Sequence, residues 1–224
     1  MLSTPLIHWA FLVMTSLAPP EQLAAAPAYP GWAETAPERR ARYESIATDV
    51  VTAAEQAPIF KGNDAVRATV AYALAAAFHE SGFAADVDLG PCFRGRDGKG
   101  PRCDGGLAVS MWQLRTGGEE RELFEHHRLA AALEGIRRIR RSLGACRKNP
   151  PELRLAGYAS GRCTMGYKEA KEIYAIAQHI LRIAQPVETT TSPDQAATPW
   201  QPIHLAMAGA QRFETYKPLL QLRP

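Results

Sequence analysis

Apolar residues recur at helical spacing along most of this chain. From Glu38 to about Ala57 the period is helical, and Pro58 with Gly62 ends it. Asn63 or Asp64 then caps a second segment, in which Val66, Val70, Leu74, Ala77 and Phe78 form an apolar stripe and Gly82 is a natural stop. Helical period returns from Glu119 to Leu143, where Leu133, Ile136, Ile139, Arg140 and Leu143 share one side. A short helix is expected after Asn149-Pro150-Pro151, with a proline near its first turn and its end around Tyr158. The last runs from Tyr167 to about Ile183, with Tyr174, Ala177, Ile180, Leu181 and Ala184 facing inward.

Between Gly82 and Gly118 the pattern lapses. Nine of the chain's 17 glycines fall there with several aspartates, and only "LAVSMWQL" shows apolar clustering. So many turn formers predict a surface lobe or small hairpin rather than core. The expected fold is mainly α, a helical core with a glycine-rich lobe or small hairpin inserted after the second helix, and no internal repeat. Residues 187–202, "VETTTSPDQAATPWQP", read as a composition-biased linker. The folded domain is therefore expected over 29–185, with linker and tail over 186–224.

At 224 residues and 46% hydrophobic, the chain can bury one domain's core. Residues 1–28 hold a single charged side chain, Glu21, and an apolar run from Leu6 to Ala18. That run is too short to span a bilayer. It fits the apolar part of a secretory signal, with Ala26-Pro27-Ala28 as a cleavage site, although no Lys or Arg precedes Arg39. The alternative is a disordered or loosely packed arm. Formal charge is +3, and loss of Glu21 with residues 1–28 makes it +4. Such mild basicity suits an anionic cell wall, a nucleic acid or a membrane surface alike. The arginines around Ile136 and Ile139 read as a solvated helix face rather than a nucleic-acid patch.

Cys92, Cys103, Cys146 and Cys163 have no C-x-x-C spacing and no nearby histidine to complete a zinc site. Disulfides pairing Cys92 with Cys103 and Cys146 with Cys163 close the two shortest loops. Four free thiols in a cytoplasmic protein are the competing reading.

The chemistry centres on "HESGF" at 79–83. A helical zinc protease would need a second histidine where Phe83 stands, and no serine elbow or phosphate-binding loop is present. What remains is Glu80, a carboxylate at the end of an apolar helix, where the helix dipole disfavours it.

Read together, "HESGF", "GLAVSMWQL" at 106–114 and "AGYASGRC" at 156–163 resemble the lysozyme-like superfamily, in its soluble lytic transglycosylase branch. The resemblance covers about residues 64–183. It implies that Glu80 is the catalytic acid, Ser81 the hydroxyl that helps hold it, Gln113 a lining of the saccharide cleft and Tyr158 the tyrosine facing Glu80. Trp112 either stacks on sugar rings or packs behind Gln113. The family's usual Gly-Leu-Met-Gln reads Ser110-Met111-Trp112-Gln113 here, Tyr158 is followed by Ala159-Ser160-Gly161 in place of the usual motif, and Arg115 stands near a frequent proline.

A carboxylic acid keeps its proton near neutral pH when desolvation raises its pKa, and Phe78, Phe83 and Tyr158 are placed to roof Glu80. Many glycosidases add a second carboxylate, for which Asp86, Asp88 and Asp104 are the local candidates. The resemblance implies instead that one Glu serves as acid and then base on peptidoglycan, with an anhydro-sugar product and no cofactor or metal. The expected protein is periplasmic or extracellular and monomeric, acting on peptidoglycan glycan strands, without nucleic acid or a stable membrane span. A hydrolytic muramidase and a non-catalytic glycan-binding assembly protein are the alternatives.

Overall fold

The computed structural model describes residues 4–24, 32–88 and 107–183. It is mainly α, with one small hairpin. The order is α1 (Thr4–Leu17), α2 (Pro20–Ala24), α3 (Ala36–Gln56), α4 (Ala65–Ser81), α5 (Ala85–Asp88), β1 (Ala108–Val109), β2 (Leu114–Arg115), α6 (Gly118–His126), α7 (Arg128–Ala145), α8 (Ala156–Ser160) and α9 (Tyr167–Arg182). The hairpin is antiparallel, pairing Ala108 with Arg115 and Val109 with Leu114. Residues 184–224 lie outside the described residues.

Helix α4 is the hub, packed against α9, α3, α7 and α1. Its residues Val70 to Ala77 are all buried, with alanine at five of the eight positions. A helix apolar on every side belongs inside a bundle, and alanines let its neighbours approach closely. Helix α3 starts on a capping box. Thr35 Oγ1 accepts from the Glu38 amide at 3.4 Å, and Glu38 Oε2 accepts from the Thr35 amide at 2.7 Å. Asp64 precedes α4 as expected, but its side chain makes no capping bond.

Helix α1 is part of the core rather than a loose arm. Trp9, Ala10, Val13 and Met14 have no exposed surface, and the indole of Trp9 donates to the Ile183 carbonyl at 3.0 Å. Arg67 stacks its guanidinium over the Trp9 ring and caps the end of α9 through the Leu181 and Ile183 carbonyls.

Four expectations change. The helical stretch expected from Glu119 to Leu143 breaks at His127 into α6 and α7. Arg140, expected on the inner side of α7, is exposed and reaches across to the Ala57 and Pro58 carbonyls. The inner face of α9 is turned from the one expected, since Ala170, Ile173, Ala177 and Ile180 are buried while Tyr174 and Leu181 are only partly so. The stretch after α4, expected to be surface, also enters the core through Val109, Met111, Trp112 and Leu114. Cys146 and Cys163 are bridged, with Cα atoms 5.2 Å apart, which ties the end of α7 to the turn after α8. The expected Cys92–Cys103 pair lies outside the described residues.

Candidate active site

Glu80 sits in the last turn of α4, and its side chain keeps 25% of its surface open to solvent. The chain leaves the helix sharply. Gly82 caps it at φ +60°, and Phe83 follows at φ +56°, a left-handed conformation costing a side-chain-bearing residue about 1–2 kcal/mol. Neighbours hold Phe83 there. Ser81 Oγ accepts from its amide at 3.1 Å, Arg42 donates to its carbonyl at 2.9 Å, and its ring packs between Tyr43 and Phe78. Ser81 Oγ donates in turn to the Ala77 carbonyl at 2.7 Å. The hydroxyl expected to hold Glu80 thus fixes the backbone beneath it instead.

The hairpin supplies the second wall. Ser110 and Gln113 both stand at positive φ, +63° and +46°, and the Gln113 amide and side-chain Nε2 both donate to the Ser110 carbonyl. Backbone strain of this kind concentrates where surrounding structure over-determines it, often at functional sites. Trp112 between them is 1% exposed, and its Nε1 donates to the Ala73 carbonyl of α4 at 3.0 Å. Of the two uses open to it, stacking on sugar is corrected here: the indole packs behind Gln113 with no face left for a ligand.

Tyr158 on α8 closes the arrangement. Its hydroxyl donates to the Trp112 carbonyl at 3.0 Å, and burial, then the nearby negative charge of Glu80, push its pKa well above the usual tyrosine range, against the pull of Arg138. The phenol therefore stays neutral. Its backbone is set by Ser142 of α7, whose Oγ accepts from the Tyr158 amide at 2.9 Å while donating to the Arg154 carbonyl at 2.7 Å. Glu80, Gln113 and Tyr158 are thus carried by three elements linked through Trp112. Ser142 and Arg42 were invisible as site supports, because a lone polar residue inside a helix carries no signal of its distant partner.

The aspartates are differently employed. Asp88 is 1% exposed at its side chain and lies between two arginines, bidentate to Arg128 at 2.7 and 3.0 Å and 3.2 Å from Arg42. Arg42 also grips Glu34, and Arg128 also grips Asp49. Asp88 is thereby corrected from a candidate second carboxylate to a structural anion. Asp86 is buried, and Asp104 lies outside the described residues. An open cavity of about 320 Å³ lies at this cluster, with Asp49, Asp88, Glu125, His127 and Arg128 among its lining residues and Glu80 not among them. Its central charges are committed to one another.

Among the described residues no three His, Cys, Asp or Glu side chains are grouped to hold a metal ion, and no helix is long and apolar enough to cross a membrane. Comparison with protein-family models, with curated proteins and with solved structures found no match.

Proposed function

We propose that the protein cleaves the β-1,4 bond between N-acetylmuramic acid and N-acetylglucosamine in peptidoglycan as a lytic transglycosylase, with Glu80 as its acid and base. The observation that carries the reading is the partly open Glu80 at the strained end of a buried helix, with a neutral Tyr158 within reach of its charge and hydrogen-bonded to the carbonyl of Trp112, next to Gln113. The left-handed Ser110 adds support. It stands where the family that the sequence resembles usually has glycine, the residue that tolerates that conformation without cost.

Glu80 gives its proton to the glycosidic oxygen as the sugar C1–O bond breaks, and the substrate's acetamido oxygen bonds to C1. The Glu80 carboxylate then takes the proton of the muramyl C6 hydroxyl while that oxygen displaces the acetamido group from C1. The 1,6-anhydro ring results and Glu80 is again an acid. Gln113 and Tyr158 would position the saccharide. No second carboxylate is needed, which agrees with the commitment of Asp88 to two arginines. The Cys146–Cys163 bridge favours a periplasmic or extracellular site of action.

Digestion of purified peptidoglycan with mass analysis of the fragments tests the reading. Glu80→Gln is expected to abolish cleavage while leaving the far-ultraviolet circular dichroism unchanged, and the wild type is expected to release 1,6-anhydro-muramyl ends. Oxygen from labelled water at the new end would instead make the protein a muramidase. Intact glycan with the wild-type protein would leave a binding role.

A further inference from the structure

His79 is flanked by carboxylates from two helices. Within α4 its Nδ1 lies 3.5 Å from Glu80 Oε1, and across the α4–α9 contact its Nε2 lies 3.0 Å from Glu172 Oε2. A carboxylate can only accept, so the Glu172 contact calls for a proton on Nε2 and sets the ring's orientation. Nδ1 is then buried, aimed at Glu80, and at this separation makes no hydrogen bond. Catalytic hydrogen bonds are often long before substrate binds and tighten in the complex.

We propose that His79, held by Glu172, is a positioning residue that engages Glu80 Oε1 and leaves Oε2 for the glycosidic oxygen. The inference rests on the reading of Glu80 as the acid and base. A carboxylate in a last helical turn with a quarter of its surface open has rotamer freedom that a two-step reaction cannot use, because the same oxygen must first deliver a proton and later collect one from a different atom. With both ring nitrogens protonated, Nδ1–H donates to Oε1 whether Glu80 is acid or anion. The proton in play stays on Oε2, and none crosses to the ring.

The charges around the ring favour that state. Burial pulls the His79 pKa down, but the two neighbouring carboxylates, Glu80 first and then Glu172, outweigh it and hold the pKa above the ordinary value. The groups facing the ring are Glu80 on α4 and Glu172 on α9, with Tyr158 of α8 beyond Glu80 and within reach of Arg138's charge. A raised folded pKa gives stability that is full below the unfolded value of about 6.5 and is lost as pH rises through the folded one.

The test combines an activity-free readout with kinetics on the full chain. Ring signals of His79, assigned by their loss in His79→Gln, are expected to titrate above about pH 6.5. Glu172→Gln and Glu80→Gln are each expected to lower that midpoint by about one pH unit. In glycan cleavage His79→Gln and Glu172→Gln are expected to lower kcat about 10- to 100-fold with KM unchanged. The wild type is also expected to lose kcat as pH rises through the His79 midpoint, a limb absent from His79→Gln. A His79 titration unmoved by Glu80→Gln, or a folded His79→Gln with wild-type kcat and pH profile, overturns the proposal while leaving Glu80 as the acid. Retained cleavage by Glu80→Gln overturns both.

Discussion

Gly135 lies in the interior of α7, where replacing it by alanine should favour the helix by roughly 0.5–1 kcal/mol. The space forbids it. A Cβ there would stand 2.8 Å from Trp112 Cγ, and the indole cannot retreat without breaking its bond to the Ala73 carbonyl. Overpacking against a rigid ring costs about 1–3 kcal/mol, so Gly135→Ala is expected to destabilise by about 1–2 kcal/mol in urea unfolding despite the better helix former. An unchanged midpoint would mean that Trp112 is not seated against α7. Legibility divides in the same way at this scale. Glu80, Gln113 and Tyr158 could be picked out because their residue types and chain order resemble a known set. Trp112 stayed ambiguous, since an indole that stacks on sugar and one that fills a core look alike in sequence. Glu172 gave no signal at all: its partner is 93 residues away, and a glutamate on an amphipathic helix ordinarily faces water.

Among the elements, α1 was the hardest to read. A run of about a dozen apolar residues suits a buried helix and a secretory signal equally well, because both need only to leave water. In the full chain Trp9 is wholly buried, hydrogen-bonded to Ile183 and covered by Arg67, so α1 is clamped to the end of α9. Trp9→Ala is expected to cost about 3–5 kcal/mol in the full chain, the usual loss for truncating a buried aromatic. A melting temperature unaffected by that change would show that residues 4–17 do not belong to the folded protein, as removal after Ala28 would require. The break between α6 and α7 escaped notice for a related reason. The apolar period runs on through His127, and a one-residue interruption without glycine or proline leaves no mark on it.

For the molecule as a whole, the mainly helical class was legible because periodic stripes fix which elements must pack together, whereas the charges that join distant elements were not. Arg42 and Asp49 on α3, Asp88 on α5 and Arg128 at the start of α7 look like solvated side chains in sequence, yet they meet around one almost fully buried carboxylate. That cluster bears on the chemistry. If Asp88 were the second carboxylate of a hydrolytic enzyme, Asp88→Asn would abolish cleavage and leave stability nearly intact. If it is the anion that two arginines require, the substitution leaves buried positive charge poorly compensated, a loss of about 3–5 kcal/mol for a broken buried pair. Glu34 and Asp49 still partner the two arginines, so the lower end applies. Arg42 also holds the Phe83 carbonyl beside Glu80, and some loss of kcat is expected through that link. Asp88→Asn is therefore expected to lower stability by about 3 kcal/mol, while, on the proposed function, the remaining folded protein still releases 1,6-anhydro ends. Thermal unfolding and fragment masses on the same preparation decide it: full stability with no cleavage would assign Asp88 to the reaction and make the protein a two-carboxylate hydrolase.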